Sequence, residues 1–289
     1  MRWLPGANRP LYRDLTKRII TALQVELTEG EQIRLYAKGT NNIEAYLKYL
    51  QADLNLNKMN LENNALGKKL AQEAIELDPD YAMAYRALAG AYRMEVYLGV
   101  SKNPRESKTK SFELLNKAKA LDPNNAEILA ALGFSYSGMG QHEEAIALSE
   151  RAAYLEPNAA DVHAILGLTL RLGGKPDRAI SAYEKAIRLN PIPPSNYMFG
   201  LGHSYCLVGQ YKEAINWCEK AVAKDPDSFI AQLTMTVVYS MAGKDEDAKI
   251  AAAEVRRLNP KYSAAAHEKR ATLIGKEQYF IALRKAGLK

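Results

Sequence analysis

Six prolines set the period of this chain. They close LDP, LDP, LEP, LNP, KDP and LNP at Pro79, Pro123, Pro157, Pro191, Pro226 and Pro260, at spacings of 44, 34, 34, 35 and 34 residues. A fixed period of this length marks one supersecondary unit that cannot bury its apolar face alone, so successive copies must stack. Between Ala131–Pro157 and Ile165–Pro191 the small, large and proline residues occupy the same slots.

Each slot has a steric reason. Small residues recur at Ala89, Gly133, Gly167 and Gly202, and again at Ala145, Ala179, Ala214 and Ala248. Two helices can cross closely there only if both side chains are minimal. A further small column, Ala74, Ala118, Ala152, Ala186 and Ala221, is expected to face the following unit, while Tyr92, Tyr136, Leu170, Tyr205 and Tyr239 fill the space between helices. Gly140, Gly174, Gly209 and Gly243 fall where a left-handed residue ends a first helix. Pro176 then opens a second helix, where its missing N–H costs nothing.

On period, small slots and closing proline, the sequence resembles the tetratricopeptide repeat (TPR) family over about three quarters of its length. The resemblance implies an all-α fold, a right-handed α-solenoid of about six TPR helix–turn–helix units at 42–79, 80–123, 124–157, 158–191, 192–226 and 227–260. Helices capping the array are expected at 1–41 and 261–289. In the first segment Leu15, Ile19 and Leu23 share a helical face and TEGE (Thr28 to Glu31) matches a capping box; in the last, Tyr279, Phe280 and Leu283 form a stripe. The 44-residue gap holds about ten extra residues in or near VYLGVSKNPRESKTK, read as a longer turn inside the second unit. PIPPSN, one residue longer than its counterparts, reads as a rigid hinge before Ser195.

Composition narrows the function. Apolar residues make up 47% and charged residues 25%, the balance of a folded water-soluble chain. No apolar run is long enough for a membrane span. The formal charge of +6 is carried at the ends: residues 1–40 hold 7 Lys and Arg against 4 Asp and Glu, residues 261–289 hold 7 against 2, and the middle holds 25 against 27. A nucleic-acid groove would carry its cations along the body that follows the phosphates, so nucleic acid is not the expected partner. Cys206 and Cys218 are too few for a disulfide framework, and a reducing cytoplasm is the expected setting.

In the TPR family the first helices line the concave face where ligands lie. Carried onto this sequence, that face is lined by Phe134, Leu168, His203 and Val237, beside Arg86, Phe199 and Leu233, with Arg93 and Arg171 one turn along. An apolar, aromatic column flanked by arginines suits an extended or helical peptide with hydrophobic anchors and an acidic group. Phe134, Phe199 and His203 are expected to be exposed there, whereas Leu168 and Val237 could equally belong to the packing between repeats. The chaperone-tail clamp of the family is not expected, because Gly90 and Ala131 stand where its asparagines would be. The alternative is a self-assembly module, in which the basic ends or the groove mediate a homo-oligomer that organises a signalling enzyme or transcription regulator, with aromatics such as Phe280 exposed.

No catalytic, cofactor or metal constellation stands out. His142, His163, His203 and His267 lie in different repeats without ligand spacing, and each reads as a repeat-surface residue. Glu143–Glu144 and Asp245–Asp247 sit at helix starts, where negative charge complements the dipole.

A second resemblance lies outside the repeat slots. LTKRIITALQVELTEGEQIRLYAKGTNNIEAYLKYLQ (Leu15 to Gln51), LDPDYAMAYRALA, LNPIPPSNY and ALRKAGLK are similar to the C-terminal TPR region of bacterial class III adenylate/guanylate cyclases. The cyclase's metal-binding aspartates and purine-reading residues have no counterparts in these 289 residues. The resemblance therefore implies a sensory or partner-binding role rather than the activity.

Overall fold

Residues 39–56, 61–98 and 100–289 are described by the structure, a computed structural model. Among the described residues there are fourteen helices and no strand. The helices expected within residues 1–38 lie outside them.

Six helix pairs follow the proline period. They are α1 (Ile43–Leu56) with α2 (Leu61–Leu77), α3 (Ala82–Tyr97) with α4 (Pro104–Leu121), and α5 (Ala126–Gly138) with α6 (His142–Leu155). Then come α7 (Ala160–Leu172) with α8 (Pro176–Leu189), α9 (Ser195–Leu207) with α10 (Tyr211–Lys224), and α11 (Phe229–Met241) with α12 (Asp245–Leu258). Two shorter helices follow, α13 (Ala264–Arg270) and α14 (Lys276–Lys285).

The prolines stop the second helices by subtraction. The last amide of each, from Asp78, Asp122, Glu156, Asn190, Asp225 or Asn259, still bonds the carbonyl four residues back. The next residue is proline, which has no N–H to continue the ladder and drives its predecessor towards extended backbone. The turn within a pair is made by Gly140, Gly174, Gly209 and Gly243, all with φ between 72° and 79°, a region that costs a side chain energy and glycine nothing.

The small columns do what their sizes imply. Ala145, Ala179, Ala214 and Ala248, like Ala74, Ala118, Ala152, Ala186 and Ala221, are completely buried. A Cβ on Gly167 would lie 2.7 Å from the Tyr183 ring, and one on Gly202 would lie 2.9 Å from the Ala214 carbonyl. Repeat junctions carry a further tie that the slots did not announce. Six residues after their prolines, Tyr85, His163 and Gln232 each bond the carbonyl of Pro79, Pro157 and Pro226 at 2.9–3.0 Å.

The extra residues of the second pair do not all go into a loop. α3 has 16 residues and α4 has 18, against 13 and 14 in the later pairs, so much of the insertion lengthens helices. Asn103 caps α4 through the Glu106 amide, with Pro104 in the first turn. The extra residue of PIPPSN lies in the turn before α9, which keeps the 13-residue length of its counterparts.

The chain divides into two compact units, one ending at Leu132 and the other running from Gly133 to Lys289. In the first, Tyr49 and Tyr81 meet edge to face at 5.4 Å. Beside them Arg86 on α3 bonds Asp53 of α1 at 3.0 Å and Glu127 of α5 at 3.1 Å. In the second unit, Tyr183, Tyr197 and Leu201 fill the space between α7 and α10, and Leu233, Val237, Val255, Phe280 and Leu283 form a core under α14.

Candidate functional site: a strap across the first-helix face

Within the unit that begins at Gly133, the chain's own C-terminal segment crosses the ends of two first helices and lies against His203 on a third. α13 ends at Arg270, and residues 271–275 cross the ends of α5 and α7 before α14 begins. Thr272 Oγ1 donates to the carbonyl of Ser137 at 2.8 Å. The Thr272 carbonyl accepts from His142 Nε2 at 2.6 Å. The Ile274 amide donates to the carbonyl of Leu172 at 3.1 Å. The Ile274 side chain stands 3.2 Å from where a Cβ on Gly174 would be, although it is the φ of 72° that calls for glycine at this turn. Thr272 and Ile274 thus engage two successive repeats through hydrogen bonds, while the Ile274 side chain stays half exposed.

α14 completes the cover. Tyr279 lies against His203 with ring centroids 5.3 Å apart. Phe280 and Leu283 enter the core made by Leu233 and Val237 of α11. Gly275, with φ 71°, lets the segment turn into α14. The C-terminal residues therefore both cap the last pair and run back over the earlier ones.

The nine residues expected to line a ligand groove have separate fates. Leu233 and Val237 are buried beneath α14. His203, expected to be exposed, is 3% exposed because Tyr279 covers it. Arg171 is 8% exposed. Phe134, Leu168 and Phe199 are half-buried. Arg86 is spent on Asp53 and Glu127 within the first unit, and Arg93 is exposed. Sequence reasoning missed His142, Thr272, Ile274 and Tyr279, which lie outside the repeating slots or were read as surface.

Arg171 and His203 form an unusual pair. The Arg171 guanidinium donates to Nδ1 of His203 at 2.8 Å. Arginine keeps its protons, so Nδ1 must be the acceptor and the ring proton sits on Nε2. Burial, with the Arg171 charge as a second cause, holds the His203 pKa well below the ordinary histidine value. The Nε2–H has no partner, and neither has the Nε–H of Arg171. No carboxylate among the described residues pairs with Arg171. The two acids of the C-terminal segment are elsewhere, Glu268 bonded to Arg284 at 2.7 Å and Glu277 exposed. A buried donor without an acceptor costs about 1–3 kcal/mol, more where charge is involved. Arg86 has both of its carboxylates, and its Nε–H is likewise without a partner.

The remaining reactive groups are structural. Burial pushes the Cys206 thiol up to about 12 and raises that of Cys218 further, so neither is a thiolate nucleophile. His163 is bonded to Pro157, and Tyr262 to His267 at 2.9 Å. Among the described residues no group of three or more His, Cys, Asp or Glu side chains is placed to hold a metal, and no helix is long and apolar enough to cross a membrane.

Comparison with known proteins agrees with this architecture. Tetratricopeptide repeat family models match residues 114–147, 131–196, 173–229 and 207–273. Among solved structures, PilF of Pseudomonas aeruginosa is 23% identical, with a TM-score of 0.54 over 80% of this chain and 99% of its own. The type IV pilus biogenesis factor PilW is 17% identical, with a TM-score of 0.55 over 75% and 95%. The Cut9–Hcn1 assembly of the APC/C is 16% identical, with a TM-score of 0.62 over 90% of this chain and 52% of that one. At these identities the likeness is one of fold. A search of curated proteins finds no match to the chain.

Proposed function

Residues 114–273 are tetratricopeptide repeats, and we propose that a chain so built is a non-catalytic scaffold that binds a protein or peptide segment on its first-helix face. One observation carries the proposal. The ends of two of those helices already hold residues of the chain itself, Thr272 and Ile274, through side-chain and backbone hydrogen bonds to two successive repeats. A surface that grips its own segment in this way has the chemistry to grip another. The two free, buried thiols suit a reducing compartment such as the cytoplasm. The narrower role, a regulatory or sensory module like those joined to cyclases, rests on the resemblance of Leu15–Gln51 and the three shorter motifs. The self-assembly alternative loses one of its candidate contacts, since Phe280 is 1% exposed and lies in the core.

The test uses a labelled synthetic peptide of residues 269–280 added to the full chain carrying Thr272→Ala and Ile274→Ala, which loosen the internal segment. Saturable binding is expected, with weaker binding to the unaltered chain, where the internal copy competes. Adding Leu168→Glu and Phe199→Glu should abolish it. Binding that ignores those two changes would remove the groove from the account.

A further inference from the structure

We infer that α14 is a pH-sensitive latch, held closed by two histidines on different elements that clasp one ring, Tyr279, and opened by mild acid. Of the chain's four histidines, His203 on α9 and His267 on α13 both lie against that ring, with centroids 5.3 and 6.2 Å away. His267 also meets Phe280 edge to face at 5.1 Å. α14 is therefore seated between two groups whose charge changes near neutral pH. Gly275, with φ 71°, supplies the hinge. His142 keeps its hold on the Thr272 carbonyl in either protonation state, because it donates through Nε2. Across to α12 the latch is tied by Lys285 with Asp245, an exposed pair of the kind that holds weakly. Opening uncovers Leu233 and Val237 beneath Phe280 and Leu283, whatever else the face binds.

Acid acts at His203 by spoiling a hydrogen bond. Nδ1 accepts from the Arg171 guanidinium at 2.8 Å, so a proton there sets two donors and two positive charges face to face. The surrounding elements offer no relief. Burial raises the hydroxyls of Tyr183 on α8 and Tyr279 on α14, so neither becomes an anion, and no carboxylate among the described residues pairs with Arg171. Around His267 stand Arg270 on its own helix and the Tyr262 hydroxyl at 2.9 Å, which burial also raises. From α14 come Lys276, bonded to the carbonyls of Glu268 and Ala271, and Arg284, which occupies the Glu268 carboxylate. Burial accordingly lowers the pKa of both histidines, with Arg171 and Arg270 as second causes. The closed latch is favoured fully above the ordinary histidine value near 6.5 and progressively less below it.

Hydrogen exchange of the full chain at pH 7.5 and pH 5.5, each amide corrected for its intrinsic rate, reads the latch directly. The opening constant of the Phe280–Leu283 amides is expected to rise between the two, by at most about tenfold for each histidine. At both pH values it should exceed that of the slowest amides of α8 and α10, because the latch opens before the repeats do. His203→Gln with His267→Gln should abolish the rise. His267→Gln alone leaves the Arg171 bond in place and should remove only its own share, which keeps the test alive if the double variant folds poorly. An opening constant that is equal at the two pH values would overturn the latch. So would α14 amides that open only together with α8 and α10 at pH 5.5, or a full rise that persists without the two histidines.

Discussion

Single side chains set the approach of helices in this fold, and the two kinds of glycine in its first helices should respond oppositely to the same change. A Cβ added to Gly202 would meet Cys218 and, at 2.9 Å, the Ala214 carbonyl, and a backbone carbonyl cannot rotate away. Gly202→Ala is therefore expected to cost about 1–3 kcal/mol, as overpacking does. A Cβ added to Gly90 would meet nothing within 4 Å, and the residue sits inside α3, where alanine is the better helix former. Gly90→Ala should leave stability equal or raise it by up to about 1 kcal/mol. Urea unfolding of the two variants, side by side, checks both signs. His203 sets a pH dependence. Its pKa in the fold is depressed by burial and by Arg171, so the unfolded chain binds the proton more readily. Its contribution to stability is complete above the unfolded value near 6.5 and is lost as pH falls below it. Stability should drop between pH 7 and pH 5, with a slope from this residue of at most about 1.4 kcal/mol per pH unit. His203→Gln keeps an acceptor for Arg171 and should reduce that slope, leaving the share of His163 and His267, whose pKa values burial also lowers. An unchanged slope would mean that His203 titrates as an exposed residue.

At the scale of elements, what could be read from the sequence was what repeats. The prolines and the four turn glycines placed the ends of the helix pairs, because each acts through local backbone chemistry that needs no partner. The small columns were legible for the same reason, their spacing being fixed by helix geometry. The path of residues 271–275 was not legible. ATLIG has no period, and its bonds go to Ser137, His142 and Leu172, more than a hundred residues earlier. So the sequence points to a column of Phe134, Leu168 and His203, but not to Tyr279 lying over His203. The insertion near 97–110 was misjudged in kind: extra residues that continue a helical pattern lengthen α3 and α4 instead of looping out. The path of the segment predicts hydrogen-exchange behaviour. The Ile274 amide, in a stretch without secondary structure, is bonded to Leu172 and should exchange slowly. Thr272→Ala with Ile274→Ala should bring it to the rate of an exposed loop while α7 and α9 keep their protection. Fast exchange of Ile274 in the unaltered chain would show the segment to be open in solution.

A stacked-repeat chain ordinarily unfolds as a sum of nearest-neighbour steps, since each repeat touches only the next. The unit from Gly133 to Lys289 departs from that rule. Thr272 ties Ser137 and His142 across 135 and 130 residues of chain, and α14 joins the same segment to the core of α11 and α12. Loss of the last pair then releases the cover on the first, so the two ends of the unit should open together. Hydrogen exchange measured residue by residue in rising urea is the direct measurement. In the unaltered chain the slowest amides of α6 and of α12 are expected to share one opening free energy. With Thr272→Ala and Ile274→Ala the tie is cut, and the α12 amides should exchange at lower urea than those of α6, as in an ordinary array that frays from its end. Separate openings already present in the unaltered chain would mean that the segment decorates the unit without coupling it.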